Sequence, residues 1–370
     1  MKIFKYLIIT IIILMRKILI RNIDINRWKK LGNRVLVYGR RKVGKSFFVR
    51  NFTDWDEYFF VKRDGGILDT KTNKEISYSY LKDFLLKERK KVVIDEFQRL
   101  PEDFLDFLQA FSEKLDLVLI TSTLWLSRKI LGESSPILGL FEEFKLGIID
   151  ERDVLKFLNQ LKGKELIDTC IYIREPWLIP LLKRSIYEEI PRILIEEKNT
   201  IERLIGEIFR EEGRELRKTY IAILSAISSG KMKSSEISSL LFSKKIIPKD
   251  DPSIIQGHLK ILCNIGILEK LKILNKKFDY FMQKSPLLDL YFYLDSKYGF
   301  SEIEIPEREI KKVFMEKLPF HVEQFFRILL SKIFGLKAGK IIEKDFDIDI
   351  ALYSFKKIEV LCEVKWKNFI

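Results

Sequence analysis

The stretch RVLVYGRRKVGKSFFV, from Arg34 to Val49, decides the reading of this chain. Its first five residues, Arg34 to Tyr38, are a short β-branched run of the kind that forms a strand buried on both faces. Gly39-Arg40-Arg41-Lys42-Val43-Gly44-Lys45-Ser46 follows at once and fits the spacing G-x-x-x-x-G-K-S/T. Glycines at those positions let the backbone wrap so that several N–H groups face one phosphate chain. The positive end of a helix starting near Lys45 adds to that field. In such a loop Lys45 reaches the β- and γ-phosphates and Ser46 ligates magnesium. A chance Gly/Lys-rich turn is the competing explanation, and an apolar strand before with an apolar helix start after it argues against chance.

A phosphate loop needs a carboxylate on the far side of the metal. Val92-Val93-Ile94-Asp95-Glu96 supplies a buried-strand run ending in two acids. Asp95 is the expected metal-side acid. Glu96 is the candidate general base that polarises water, with Gln98 as an assistant. A third strand, Leu117 to Ile120, runs into Thr121, Ser122 and Thr123, where Thr121 or Ser122 could sense the γ-phosphate. The same hydroxyls also suit an ordinary strand-to-helix loop. No N-K-x-D guanine-reading motif is present, so ATP is preferred over GTP.

Taken together, GRRKVGKS, VVIDEFQRLP, LVLITST and Ser135-Pro136-Ile137-Leu138-Gly139 resemble the archaeal ATPase family of P-loop proteins, related to the AAA+ and STAND classes. The resemblance runs from about Asn22 onward. It implies a helical lid after the nucleotide domain, then a winged helix, then a nuclease-like C-terminal domain of unassigned function. Two departures stand out. Leu140 occupies the place where the family usually carries an arginine, leaving Arg128 or Arg152 as substitutes. The family's Gly-Gly-x-Pro signature is eroded to Arg174 and Glu175 near Pro176 and Pro180.

Downstream, apolar residues at helical spacing (Val154, Phe157, Leu158, Leu161) continue toward Glu212. From Thr219 the pattern predicts helices over 220–229 and 235–241. A third helix opens at Asp251-Pro252 and closes at Gly266. Strands over 267–273 and 278–282 follow, around a basic tip at Asn275-Lys276-Lys277. This is a winged-helix pattern. From Gly213 to Phe300 there are 15 basic and 8 acidic residues, a net of +7. In a DNA-binding version Ser253, Gln256 and Lys260 would face bases, with Lys272, Lys276 and Lys277 on phosphates. The same module also serves as a spacer or protein contact.

At the C-terminus, period-two alternation sets Asp347 and Asp349 against Phe346, Ile348, Ile350 and Leu352. A second run carries Glu363 and Lys365. Asp349, Glu363 and Lys365 resemble a PD-(D/E)xK nuclease core, with Glu323 on a preceding helix (321–334) as a further acid. Any half-exposed charged hairpin can imitate that pattern, and the run reads as a truncated nuclease-like domain.

The chain has 370 residues, 47% hydrophobic and 32% charged, which suits a globular protein of several domains. Its net charge of +14 favours a polyanionic partner such as nucleic acid, or an acidic membrane surface. Cys170, Cys263 and Cys362 lie far apart and only His258 and His321 are available, so neither a zinc spacing nor a disulfide framework can be built, and a reducing cytoplasm fits. The apolar run Tyr6 to Met15 is too short to span a bilayer, and no stable membrane insertion is expected. It reads either as an extra apolar element or as sequence upstream of a start at Met15.

The expected fold is α/β: a P-loop domain with a parallel sheet (22–150) after an apolar extension (1–21), then a helical lid (151–212), a winged helix (213–305) and a small, incomplete α+β nuclease-like domain (306–370). The expected function is a magnesium-dependent ATPase whose nucleotide state drives a winged helix that contacts DNA. The alternatives are an ATP-dependent switch that signals to a protein partner or self-associates with little hydrolysis, and a metal-dependent nuclease.

Overall fold

The computed structural model describes residues 18–122, 139–209, 214–355 and 357–366. The run Tyr6 to Met15, Thr123, Arg128, residues 135–138, Glu212 and Gly213, all singled out above, lie outside the described residues, and of Ser122 only the backbone is described. The chain divides into two compact units, Arg21–Gly147 and a second made of residues 1–20 and 148–370.

The first unit holds helix α1 (Asn22–Trp28), strand β1 (Arg34–Gly39), α2 (Lys45–Phe52), β2 (Glu57–Val61), β3 (Ile67–Asp69), β4 (Lys74–Ile76), α3 (Tyr78–Lys87), β5 (Lys91–Asp95), α4 (Asp103–Phe111), β6 (Asp116–Ser122) and β7 (Glu142–Lys145). The sheet order is β4-β3-β2-β5-β6-β1-β7. β2, β5, β6, β1 and β7 run parallel, while β3 and β4 are antiparallel at one edge.

The run Arg34 to Tyr38 is apolar on consecutive residues because both sheet faces are covered. Val35 and Val37 join Phe48, Tyr58, Val93, Val118, Ile120 and Phe144 on one face, the face of α2. Leu36 and Tyr38 join Phe59, Leu81, Ile94, Phe104 and Leu119 on the other, under α3 and α4. Cutting one of these fully buried aliphatic side chains to alanine costs roughly 2–5 kcal/mol. On the α2 face an aromatic triplet closes the core: Trp28 meets Phe144 edge-on at 5.2 Å, and Phe144 stacks on Phe48 at 5.4 Å.

The second unit continues with α5 (Glu151–Phe157), α6 (Gly163–Ile173), α7 (Ile186–Glu196), α8 (Lys198–Ile208), α9 (Arg214–Ser228), α10 (Ser234–Ser243), α11 (Ser253–Asn264), β8 (Leu268–Ile273), β9 (Asp279–Gln283), α12 (Pro286–Tyr298), α13 (Glu307–Phe334), β10 (Lys337–Ile342), β11 (Asp347–Ser354) and β12 (Lys357–Cys362). Local chemistry sets several ends. Ser285 accepts from Leu288 N and Pro286 occupies the first turn of α12, while Gly299 ends that helix in the left-handed region at φ 69°. α13 is longer than the 321–334 expected from sequence and carries Pro319 inside it.

One sheet, β12-β11-β10-β8-β9, takes in both the hairpin β8–β9 and the last three strands. β10 lies parallel to β8 through Gly339 opposite Lys272 and Lys340 opposite Ile273, and Leu274 N donates to Lys340 O at 3.0 Å. A Cβ on Gly339 would sit 2.9 Å from Lys272 O, so the close approach of the two strands requires glycine there. The sheet therefore crosses the boundary drawn from sequence near Pro306.

Candidate nucleotide-binding site

Because β1, β6 and β5 are adjacent and parallel, their carboxyl ends bring the candidate residues to one edge of the sheet. Tyr38 is level with Thr121, Gly39 with Ser122, and Asp95 with Ile120. The strand bearing Thr121 lies between the phosphate-loop strand and the acid-bearing strand, an order that sequence alone did not reveal.

The loop from Gly39 to Gly44 is built for close backbone packing. A Cβ on Gly39 would collide with Leu146 O at 2.0 Å. Lys42 and Gly44 take positive φ, 64° and 87°, and Gly44 is the residue from which α2 starts. Val43 is buried, Arg40 and Lys45 are buried polar residues, and Lys42 is exposed. Arg21, just ahead of α1, fastens the loop from behind. Its guanidinium donates to Val43 O at 2.8 Å, to Gly147 O at 2.9 Å and to Asp24 Oδ2 at 2.7 Å. Nothing in the sequence near Arg21 announces this role.

Lys45 Nζ donates to the carbonyls of Gly39 at 2.8 Å and Arg40 at 3.2 Å, so the ammonium is folded back over its own loop. Burial pulls its pKa down to about 8, against the opposing pull of Glu96 and Asp95. A triphosphate arriving here would meet a cation short of counter-charge.

Asp95 is 2% exposed. Burial raises its pKa, outweighing the Tyr58 and Ser46 hydroxyls, which act to lower it. Tyr58 donates to Asp95 Oδ2 at 2.6 Å, and Asp95 Oδ1 is buried with no hydrogen-bond partner. An orphaned carboxylate oxygen beside a serine hydroxyl is a donor set that suits magnesium, so Ser46 and Asp95 fit the expected cation. Thr121 is fully buried on the neighbouring strand.

Glu96 has φ 60°, an unusual conformation for a non-glycine residue, at the turn between β5 and the 3-10 segment Phe97–Arg99. Its Oε2 accepts from Gln98 Nε2 at 2.7 Å and lies 3.1 Å from the Arg99 guanidinium. Arg99 in turn donates to Val61 O at 2.7 Å on β2. Gln98 was singled out from sequence; Arg99 was not. Leu140, at the position of the family's usual arginine, packs against the apolar cluster under α3 and α4. Arg152 is bound to Asp150 at 2.9 Å.

In the second unit, Ser253, Gln256, Lys260 and Asn264 form an exposed polar stripe along α11. The hairpin lysines are more committed. Lys272 pairs with Asp279 at 3.4 Å and Lys276 with Glu343 at 3.2 Å, while Lys277 is exposed.

Of the four nuclease-like residues, the fold gathers two around a lysine that sequence reasoning passed over. Lys340 Nζ lies 3.1 Å from Asp349 Oδ1, 3.4 Å from Glu323 Oε2 and 3.5 Å from Asp347 Oδ2. The other oxygen of Asp349 accepts from Val364 N at 2.9 Å, and Arg327 pairs with Glu323 at 3.3 Å. Glu363 and Lys365 are exposed just past the end of β12. Trp366 is anchored through its indole N–H to Asp168 at 2.8 Å on α6. Among the described residues no group of three or more His, Cys, Asp or Glu side chains converges so as to hold a metal ion. No described helix is long and apolar enough to cross a membrane.

Residues 32–144 match the family model described as an AAA domain. No match was found among curated proteins. Among solved structures, a Walker-type ATPase of Pyrococcus abyssi is 17% identical with a TM-score of 0.52, covering 74% of this chain and 96% of its own. The ORC2 protein of Aeropyrum pernix, in a form with ADPNP and ADP, is 12% identical with a TM-score of 0.39, covering 80% of this chain and 91% of its own. The AAA match, the parallel sheet with its phosphate loop, and the fold shared with the Pyrococcus protein support a P-loop ATPase.

Proposed function

We propose that the chain binds ATP with magnesium at residues 39–46 and hydrolyses it, using Asp95 on the metal side and Glu96 on the attacking water. The observation that carries this reading is the buried Lys45 ammonium beside the unpartnered Asp95 Oδ1, at the end of a loop whose backbone tolerates only glycine at its key positions. Lys45 and the loop amides would hold the β- and γ-phosphates, and magnesium, when bound, would neutralise charge on the transferred phosphoryl group. Ser46 and Asp95 would hold that cation. Glu96, close enough to Lys45 to influence its charge, would orient and deprotonate water. Thr121 and Ser122 are proposed as γ-phosphate sensors from their place on the strand beside Gly39. Calorimetry with a non-hydrolysable ATP analogue tests this: Lys45→Ala should abolish measurable affinity, and equal affinity in the variant ends the reading.

Residues 214–283 read as a winged helix that carries the nucleotide state to DNA. The exposed stripe Ser253, Gln256, Lys260 on α11 supports that role. A protein partner is the second reading. It is favoured by the ion pairs that already occupy Lys272 and Lys276, and by Leu140 where an arginine would stabilise charge. Phosphate release measured across a DNA titration at two salt concentrations separates the two, since phosphate contacts bring steep salt dependence. Nuclease activity through Asp349, Glu323, Glu363 and Lys365 is the least supported, because Lys340 and Arg327 already pair with the two half-buried acids. DNA cleavage with added magnesium or manganese that is lost in Asp349→Ala would reinstate it.

A further inference from the structure

We propose that Tyr58 is a positioning residue for the metal-side carboxylate: its hydroxyl holds Asp95 Oδ2 at 2.6 Å and so aims Oδ1 at the nucleotide's cation. The inference rests on the ATP–magnesium reading above and extends it to a residue outside both sequence motifs.

A carboxylate turns readily about its last bond, and its two oxygens are chemically equivalent. Fixing one therefore fixes the direction of the other. Tyr58 is well placed to do so. It stands on β2, the neighbour of β5, level with Val93, two residues before Asp95 on the same sheet face. Its ring is fully buried. Trp55 meets it edge-on at 5.3 Å, and the Arg50 guanidinium of α2 lies over it at 4.3 Å.

Packing alone would be served by phenylalanine, as at Phe48 and Phe144 in the same cluster. Burying a phenol instead carries a desolvation penalty unless its hydroxyl is bonded. Here the hydroxyl is bonded to the residue that leaves its other oxygen bare. Ser46, whose hydroxyl also acts to lower the Asp95 pKa, is itself an expected cation ligand. Tyr58 has no such second duty.

The test is Tyr58→Phe, which keeps the ring and deletes the bond. Binding of a non-hydrolysable ATP analogue is measured by calorimetry, first with metal chelated and then across a magnesium titration. Metal-free affinity should stay within about twofold of wild type. The magnesium concentration giving half of the metal-dependent gain should rise about tenfold, the low end for a hydrogen bond to a charged group. In turnover assays the shift should appear as a higher magnesium requirement, with kcat at saturating metal close to wild type. An unchanged or lower magnesium midpoint refutes the inference while leaving the ATP reading standing. Loss of metal-free binding as well would make Tyr58 a plain structural residue and also refute it. A wild-type protein whose binding ignores magnesium would take down both readings together.

Discussion

ATP binding should take up a proton at alkaline pH, and the size of the effect follows from Lys45. Its pKa in the free protein is lowered to about 8 because burial penalises the ammonium more than Asp95 and Glu96 favour it. A bound triphosphate adds negative charge at contact distance and pushes that pKa back up. The sign is then fixed. The bound form holds the proton more tightly, so affinity is full below pH 8 and falls as pH rises through it. At pH 9 roughly one-tenth of free Lys45 is charged, so affinity should drop about tenfold from its neutral value, or about 1.4 kcal/mol. Calorimetry at pH 7.0, 8.0 and 9.0 (roughly one unit below, at and above that pKa), in two buffers of different ionisation enthalpy, gives both numbers. At the most alkaline point close to one proton should enter per nucleotide bound. Lys45→Met, which has no proton to take up, should show no measurable binding at any of the three pH values. Flat wild-type affinity across this range, with no proton uptake, would mean that Lys45 is fully charged in the free protein throughout it, or does not meet the phosphates.

Glu96→Gln should cut turnover by at least about 100-fold while nucleotide affinity changes little; retained turnover would remove Glu96 as the base. Lys277→Ala should reduce the slope of log affinity against log salt for DNA by about one unit if its ammonium meets a phosphate, and a wild-type chain that ignores DNA would dismiss the contact. His321 is buried between Tyr172 and Asp289, with Lys317 also on Asp289. Burial lowers the His321 pKa, and the bonds from His321 and Lys317 keep that of Asp289 low. The folded state thus resists protonating this histidine, and stability should decline as pH falls below about 6.5, by up to about 1.4 kcal/mol per pH unit. Chemical denaturation of wild type and His321→Gln between pH 7 and 5 (about the window between the histidine and carboxylate values) should show a shallower slope in the variant; parallel slopes would refute it.

What the sequence disclosed about the nucleotide site is what depends on neighbours along the chain. Gly39, Gly44 and Lys45 are constrained by a turn only a few residues long, and Val92 to Asp95 by burial of a single strand, so both read directly. Tyr58 and Arg21 act through the strand beside them and the loop they brace, 37 and 22 residues away in sequence. No spacing rule reaches that far. The α9–α11 helices and the β8–β9 hairpin were legible for the same local reasons, through Asp251-Pro252 and the turn at Asn275. The union of that hairpin with β10 was not, because parallel pairing across α12 and α13 leaves no trace in alternation. At the carboxylates the acids were visible, but the lysine that ties them together sits on another strand, and a pattern of acids says nothing about which cation balances them.

The shared sheet of the second unit has a practical consequence for anyone trimming the chain. A cut at residue 306, the domain boundary drawn from sequence, would strip β10 from β8 and leave the strand bearing Leu271 and Ile273 with unsatisfied backbone groups around Lys272 and Ile273. Bare edges of that kind recruit other chains. A shortened protein should come out of expression as aggregate, whereas one ending beyond Cys362 keeps β8 paired with β10.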